Sequence, residues 1–438
     1  MDAANMTLIA IVLVMALILL GVPISFAMLI SGIVGIVGAW GFPTLEYALG
    51  NFPVARVTLY ALTVVPLFVL MGQWAAVSGI ASDAYQIAHK WLSRFRGSLV
   101  LVTIGSCGLF AATTGSTVAE VAAMAPVAIP EMKKYKYDIR LATGSVAAAG
   151  TLGSLIPPSL GMVFYGIMTE ESIGQLFIAG VIPGILSILI YMTMVTIRCR
   201  IDPRLAPTPD FSITWRDRFT SLVNGWGIVL VFVVVVGGLY SGIATPTEVG
   251  ALGCVITLLL VLLAIRRGRS SWAKLASALR DTVKISGMVF ALLIGSGIFA
   301  LFMTRSGAIP TLVETVTGIA LPPLGTVALV CLAYIPLGMF FEPATLNIVT
   351  VPIVYPIVTA LGFNGIWFGI IFIKMMEIAV ITPPVGFNLF VIKAVFPEIS
   401  LMDVIRGTGW FLVMDVLTLT ILLLFPQIAL WLPSKMWN

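Results

Sequence analysis

Hydroxyl side chains, glycine and proline interrupt the apolar sequence in two places, and each place has two parts. The first place is GSCGLFAATTGSTVAEVAAMAPVAIPE at 105–131, followed by TLGSLIPPS at 151–159. The second is GMFFEPATLNIVTVPIVYP at 338–356, followed by AVITPPVGFN at 379–388. In lipid, interrupted helices are tolerated only where the freed backbone is buried in protein or lines a cavity. Their hydroxyl and carbonyl oxygens form a mostly neutral set, which suits a hard monovalent cation.

The two places repeat each other at a shift of 226 residues. Asp138 falls on Asn364 at this shift, and four prolines keep the same register. The proline pairs are Pro126 and Pro352, Pro130 and Pro356, Pro157 and Pro383, and Pro158 and Pro384. Interrupted helices at matching positions of two halves are the best sequence indication of a transporter's binding site.

This symmetry predicts two cation sites with an anion between them, because half-helix C-termini favour a cation and N-termini favour an anion. The candidate cation ligands are Thr113, Thr114, Gly115, Ser116, Thr117, Gly150, Thr151, Gly153, Ser154, Glu342, Thr345, Ile381 and Thr382. The candidate substrate-binding residues are Ser116, Pro157, Ser159, Asn347, Pro384, Gly386, Asn388 and Arg305. For each hydroxyl the alternative is a hydrogen bond between packed helices. For Arg305 it is a side chain that extends to the membrane interface.

The composition is that of an integral membrane protein. Of all residues 60% are hydrophobic and 10% are charged, whereas a soluble domain has roughly 25% charged residues. The net charge of +5 reflects loop arginines and lysines and gives no reason to expect nucleic-acid binding. The four cysteines are scattered without metal-ligand spacing, and His89 is the one histidine. A Ser-His hydrolase site is therefore not expected, and we expect no enzyme activity.

Hydropathy predicts an all-α polytopic membrane protein with ten full spans and two re-entrant helical hairpins. The hairpins are 98–132 and 310–358, since each is too long for one span and is broken at glycine and proline. The spans are 6–22, 24–41, 58–78, 139–167, 174–198, 222–241, 246–265, 284–304, 363–394 and 408–432, of which 139–167 and 363–394 are broken helices.

The distribution of basic residues predicts the orientation. Both flanks of the first hairpin are basic, at 90–96 and 133–140, so both should be cytoplasmic. Five full spans separate the hairpins, and this odd number makes the two halves inverted relative to each other. Both termini are then expected outside the cytoplasm, which is the periplasmic side in a bacterial inner membrane.

The predicted organisation has five parts. They are scaffold helices 1–97, a transport unit 98–198, a cytoplasmic linker 199–221, scaffold helices 222–309 and a transport unit 310–438. The partly amphipathic stretches 44–56 and 271–284 are predicted as arms that lie flat at the interfaces, with ordinary connecting loops as the alternative.

Charged residues inside predicted spans are functional candidates. Lys374 and Glu377 lie three residues apart on one predicted helix, so that they can form an ion pair. We favour this structural pairing over a proton relay. Glu120 lies within the first predicted hairpin.

The order of motifs resembles the large membrane subunit of tripartite ATP-independent periplasmic (TRAP) transporters. The motifs are GLFAATTGSTVAEVAAM, TLGSLIPPSLGM, GIATPTEVGALG, LGMFFEPATLNIVTVPIVYP and ITPPVGFNLFV, and the similarity begins at LLGVPISFAML. The resemblance implies an elevator-type secondary transporter of the bacterial inner membrane, coupled to about two sodium ions. It also implies two partners, namely a separate four-helix membrane subunit and a periplasmic binding protein that delivers an organic acid.

Other functions stay open at this point. A stand-alone sodium/dicarboxylate carrier would need no binding protein, and a carrier could be coupled to protons through Glu342 or Glu377. A membrane scaffold without transport activity and an intramembrane enzyme fit less well, because the sequence has two polar hairpins and lacks a catalytic histidine. The substrate could be sialic acid, a C4-dicarboxylate, a keto acid or another small carboxylate.

Overall fold

A computed structural model describes residues 3–207, 213–341 and 343–436, and the regular elements in these ranges are helical. The first eleven α-helices are α1 Ala3–Leu19, α2 Ile24–Trp40, α3 Phe42–Val57, α4 Val64–Ser78, α5 Ile80–Leu92, α6 Ser98–Thr114, α7 Thr117–Lys134, α8 Ile139–Ala149, α9 Leu152–Leu155, α10 Leu160–Thr169 and α11 Ile173–Ile201. The others are α12 Trp215–Asn224, α13 Trp226–Phe232, α14 Gly238–Tyr240, α15 Pro246–Arg266, α16 Trp272–Arg305, α17 Ala308–Thr317, α18 Pro323–Phe340, α19 Pro343–Ala360, α20 Gly365–Ile381, α21 Phe387–Val395, α22 Leu401–Leu424 and α23 Gln427–Leu430. Short 3-10 turns lie at Tyr60–Thr63 and Pro433–Lys435, and a π-helical turn lies at Val233–Gly237.

The lengths and the apolar composition of the helices confirm the prediction of an all-α polytopic membrane protein. Within the described ranges, seven helices are long and apolar enough to cross a bilayer, and an eighth span is formed if the bent pair 215–224 and 226–240 is counted. The two parts of this pair are inclined by 60°. Residues 208–212 of the predicted linker lie outside the described part of the chain.

Two predicted boundaries differ clearly from the observed helices. The last span, predicted at 408–432, is α22 and extends from Leu401 to Leu424. The predicted second arm, 271–284, is not a separate element but the first turns of α16. This helix has 34 residues, or about 51 Å at 1.5 Å per residue, and its charged first turns extend an apolar span without a break. The first predicted arm, 44–56, does form a separate helix, α3.

The first hairpin consists of α6 and α7, which pack together and are joined by Gly115 and Ser116. Gly115 has a φ of +63°, a conformation that favours glycine. Ser116 caps α7 by accepting a hydrogen bond from the Ala119 backbone N–H at 3.5 Å. Both ends of the hairpin lie together, since the Tyr137 hydroxyl accepts from the Leu99 N–H at 3.4 Å. The chain thus enters and leaves this hairpin at one end, as predicted.

The second hairpin is shorter than predicted. It consists of α18 and α19, and the first residues of the predicted range 310–358 belong instead to the separate helix α17. The reason is local, because Pro322 and Pro323 follow α17. Proline disfavours helical geometry in the preceding residue and fits the first position of a new helix.

Each hairpin is followed by a broken helix. The first consists of α8, α9 and α10, and the second of α20 and α21. Asp138 caps α8 and Asn364 caps α20, each through a side-chain oxygen that accepts from backbone N–H groups. These caps are 226 residues apart, and α7 and α19 begin and end at the same shift.

The two hairpins reach the first broken helix from opposite ends. The base of the first hairpin precedes Asp138, where α8 begins. At the far end, beyond α10, the Glu171 carboxylate accepts a hydrogen bond from the Tyr355 hydroxyl at 2.7 Å, near the base of the second hairpin. The Tyr165 hydroxyl donates to the Gly365 carbonyl at 2.8 Å, which joins α10 to the start of α20.

Small residues let several helices approach closely. Helix α16 packs along α2 and α4, and a Cβ atom on Gly295 would lie 2.0 Å from the Ser25 carbonyl oxygen. Helix α8 packs along α22, where a Cβ atom on Gly407 would lie 2.0 Å from the Arg140 carbonyl oxygen. In membranes, helix association depends on such close packing, because lipid supplies no hydrophobic driving force between helices.

We predict that Gly295→Ala destabilises the protein, because the added methyl group would force α16 away from the Ser25 backbone. Overpacking of this kind costs about 1–3 kcal/mol. The midpoint of thermal unfolding in nanodiscs should fall by at least about 2 °C. Gly287→Ala is the matched control on the same helix, since no atom lies within 4 Å of its added Cβ. Equal losses in the two variants would contradict the role of the close approach.

Candidate functional site

A cavity of about 640 Å³ lies between the two hairpins, the two broken helices, α4 and α16. This volume lies within the roughly 300–1,000 Å³ range of small-molecule sites. Its wall is mostly apolar, and its polar side chains are Gln73 of α4, Thr114, Ser116 and Thr117 of the first hairpin, and Ser154 of the first broken helix. The geometry therefore provides one cavity where the two predicted places meet.

Four helix N-termini converge on this cavity. The first residues of α7, α10, α19 and α21 all line it, and these residues are Thr117, Leu160, Pro343 and Phe387. The N-terminal end of a helix has an effective partial positive charge and exposes backbone N–H groups. An anion is therefore the ligand that this cavity favours electrostatically.

The first hairpin tip fits directly against the first broken helix. The Leu160 backbone N–H donates to the Gly115 carbonyl at 3.2 Å, and a Cβ atom on Gly115 would lie 2.6 Å from the Pro158 oxygen. On its other side the tip contacts α4, where a Cβ atom on Gly72 would lie 2.6 Å from the Thr114 carbonyl oxygen. Glycine is required at both positions by these close approaches.

Five of the predicted cation ligands lie together on the cavity wall: Thr114, Gly115, Ser116, Thr117 and Ser154. The Thr114 hydroxyl is buried and has no hydrogen-bond partner. The Ser154 hydroxyl lies 2.8 Å from the Thr151 carbonyl oxygen and 3.1 Å from Glu377 Oε1. The first hairpin and the first break thus provide oxygen atoms at one place.

The other predicted cation ligands that the structure describes do not line the cavity. Thr113, Thr151 and Thr382 are buried, and their hydroxyls donate to carbonyl oxygens of the preceding turn of the same chain segment. These bonds are local and differ from the bond between packed helices considered from the sequence. Gly150, Gly153 and Ile381 are buried behind the wall, and Thr345 is half-buried in the first turn of α19. Glu342 lies outside the described residues.

Two of the predicted substrate-binding residues connect the two halves. The buried Asn347 side chain donates to the Gly161 carbonyl at 2.7 Å, and the buried Asn388 side chain donates to the Ala147 carbonyl at 2.9 Å. Ser159 is buried and caps α10 by accepting from the Met162 N–H at 3.3 Å. Pro157, Pro384 and Gly386 form the breaks themselves without lining the cavity, whereas Ser116 does line it.

Arg305 is not brought to the cavity. It is exposed at the end of α16, sixteen residues beyond the cavity-lining Val289. This separation corresponds to roughly 24 Å along the helix. Sequence reasoning also missed Gln73, and the signal that could have found it is a polar side chain in the otherwise apolar helix α4.

A buried ionic cluster lies directly behind Ser154. Lys374 Nζ is 2.8 Å from Glu377 Oε2 and 2.6 Å from Asp415 Oδ1, and all three side chains are fully buried. The Tyr191 hydroxyl donates to Asp415 Oδ1 at 2.5 Å. The predicted Lys374–Glu377 pair is confirmed. Asp415 was missed because it belongs to another helix, α22, and no spacing along the chain connects it to the pair.

The cluster connects three helices to α9, whose Ser154 lines the cavity. Lys374 and Glu377 belong to α20, Asp415 to α22 and Tyr191 to α11, and the bond from Ser154 adds α9. Removing one member of a buried pair leaves an uncompensated charge, which is far more costly than losing an exposed ion pair. The cluster therefore fixes the position of Ser154 relative to the second broken helix.

Lys374→Met should destabilise the protein by about 3–5 kcal/mol, because Glu377 and Asp415 would lose their buried counter-charge. The measurement is thermal unfolding in nanodiscs. The triple variant Lys374→Met, Glu377→Gln, Asp415→Asn should regain much of the loss, since no buried charge stays unpaired. A triple variant as unstable as the single variant would contradict this account.

Comparisons with known proteins agree with these features. The family described as "Tripartite ATP-independent periplasmic transporter, DctM component" matches residues 11–428. A C4-dicarboxylate TRAP transporter large permease protein of Pseudomonas aeruginosa is 36% identical over 86% of each chain. The ectoine TRAP transporter large permease protein of Halomonas elongata is 30% identical over 98% of this chain and 99% of the relative.

A solved structure supports the fold alone. The YdaH transporter of Alcanivorax borkumensis superposes with a TM-score of 0.60 over 89% of each chain, at 15% sequence identity. The family match, in contrast, extends over nearly the whole sequence and includes both hairpins and both broken helices. The chain therefore belongs to the tripartite ATP-independent periplasmic transporter family, as its DctM component, the large permease subunit.

Proposed function

We propose that this permease subunit imports a small organic acid anion, coupled to sodium, by an elevator movement of part of the chain. The observation that supports an anionic substrate is the convergence of four helix N-termini on one cavity of about 640 Å³. The partial positive charges of α7, α10, α19 and α21 would stabilise a carboxylate there without a buried arginine or lysine in the wall.

Sodium would bind where each hairpin tip meets a break. The C-terminal end of α6 brings Thr114 to the cavity wall, and the Ser154 hydroxyl lies beside the Thr151 carbonyl oxygen, just beyond the end of α8. An oxygen-rich set of this kind fits a hard monovalent cation, and the buried Thr114 hydroxyl still has an unused acceptor. The 226-residue symmetry leads us to propose a second ion at the other hairpin, for about two in total.

The moving part would comprise α6–α11 and α18–α22, and the fixed scaffold would comprise α1–α4, α15 and α16. The cavity lies between these two groups, with α4 and α16 on one side and the tips and breaks on the other. The opposite approach of the two hairpins to the first broken helix supports an inverted repeat. In this arrangement, movement of the transport helices relative to the scaffold would open the cavity first to one side of the membrane and then to the other.

Two partners complete the proposal. TRAP permeases work with a small membrane subunit and with a periplasmic binding protein, and we propose both as separate chains here. The protein would lie in the bacterial inner membrane, with its termini on the periplasmic side. Binding of sodium and substrate would be reciprocally coupled, and each net positive charge moved inward would gain ~2.3 kcal/mol per 100 mV of membrane potential.

The decisive test is uptake in proteoliposomes that contain this chain and its small subunit. The binding protein and an inward sodium gradient are added or withheld separately, and a C4-dicarboxylate, sialic acid and ectoine are offered in parallel. Uptake should require both additions. Uptake without the binding protein would identify a stand-alone carrier, and uptake without sodium would point to coupling by protons.

Ser154→Ala should raise the sodium concentration for half-maximal uptake roughly tenfold, because the cavity wall loses one oxygen and the hydroxyl that contacts Glu377. Ser106→Ala is the matched control. Its hydroxyl is also buried but donates to the Thr103 carbonyl within α6 and does not line the cavity. A similar sodium dependence in the two variants would argue against a cation at the first break.

A further inference from the structure

Glu120 is a fully buried carboxylate beside the first hairpin tip that the scheme above does not use. It lies one turn into α7, and its backbone N–H donates to the Ser116 carbonyl at 3.0 Å. Its side chain does not line the substrate cavity. The carboxylate instead faces the first break from the side of the hairpin.

The surroundings of this carboxylate are oxygen-rich and tightly defined. A Cβ atom on Gly153 would lie 2.2 Å from Glu120 Oε2 and 3.4 Å from the Ser116 carbonyl oxygen. Both oxygens therefore lie on the same side of Gly153, and Glu120 Oε2 occupies the position that a larger side chain would need. The hydroxyl of the next residue, Ser154, reaches Glu377 on the opposite side of the break.

Glu120 has no compensating positive charge among the described residues. Neither carboxylate oxygen makes a hydrogen bond of normal geometry, although the Cys107 thiol and the Gly153 backbone lie close by. The buried ammonium of Lys374 is paired with Glu377 and Asp415. A buried carboxylate without a partner is costly unless it is protonated or binds a cation.

The two halves differ at this position. At the 226-residue shift, Leu346 of the second half corresponds to Glu120 of the first, and Leu346 is a buried apolar side chain. A charged ligand at this depth is therefore a feature of the first hairpin that the second does not repeat. The two tips, although related by sequence, would differ in the charge that they offer an ion.

We propose that the Glu120 carboxylate is the charged ligand of the cation site at the first hairpin, together with the Ser116 carbonyl beside Gly153. This inference rests on the proposed sodium coupling. A bound monovalent cation would neutralise the buried carboxylate, whereas the empty site would leave a negative charge inside the protein. Cation binding would therefore stabilise the contact between the hairpin tip and the first break.

The test is a sodium titration of thermal unfolding, which measures binding without transport. The purified chain with its small subunit in nanodiscs is titrated with sodium chloride against choline chloride at constant ionic strength. Glu120→Gln should raise the sodium concentration for half-maximal stabilisation at least tenfold. Without sodium it should be at least as stable as the unsubstituted protein, because an uncompensated charge is gone. A residue with a merely structural role would not give this pair of results.

Glu131→Gln is the matched control, since Glu131 lies eleven residues further along α7 and is half-buried near its end. Gly153→Ala is an independent variant, because its methyl group would displace the Glu120 carboxylate, and it should weaken sodium binding likewise. Glu120→Asp, which keeps the charge on a shorter side chain, should retain part of the sodium response if Glu120→Gln does not fold.

The outcomes separate this inference from the proposed function. An unchanged sodium titration in Glu120→Gln, with a normal response in the unsubstituted protein, would overturn the inference and indicate a protonated or structural carboxylate. Sodium coupling would survive that result. No sodium response in the unsubstituted protein, together with sodium-independent uptake, would overturn both.

Discussion

The satisfaction of backbone polar groups inside the membrane is the constraint on which this structure depends. A broken helix leaves N–H and C=O groups without partners, and lipid offers none. Here the break between α9 and α10 is covered by the first hairpin tip, and the Leu160 N–H finds its acceptor in the Gly115 carbonyl. The first hairpin tip and the first break therefore satisfy backbone groups of each other at the place where both line the cavity.

The same pairing creates the electrostatics of the site. When helices begin inside the protein rather than at its surface, their N-termini and C-termini are brought to the cavity. Helix ends then supply partial charges of both signs without buried ionic side chains in the wall. Ionic side chains lie behind the wall instead, where Lys374 forms ion pairs with Glu377 and Asp415. A cavity wall without ionic side chains suits a site that must both bind and release its ligand.

Local chemistry explains why much of the architecture was predictable. Long apolar runs, broken at Gly115 and at Pro157, indicate interrupted membrane helices whatever their packing. The 226-residue register also predicts that Asp138 and Asn364 occupy equivalent positions, and both cap a helix. Boundaries were less certain where apolar residues continue through a junction. The separate helix α17 was misassigned for this reason. The first turns of α16 were misassigned because their charged, partly amphipathic sequence suggested an element separate from the apolar span that follows.

The sequence by itself determined the membrane-spanning class, the two polar interruptions and the family, because these depend on composition and on residues close together in the chain. Only the tertiary structure decided which oxygens meet. Thr113 and Thr382 are buried away from the cavity, whereas Thr114 and Ser154 line it, and spacing does not distinguish the two cases. Asp415 joins Lys374 from a different helix, 41 residues away. Such contacts depend on how helices rotate and pack against one another, which no local pattern specifies.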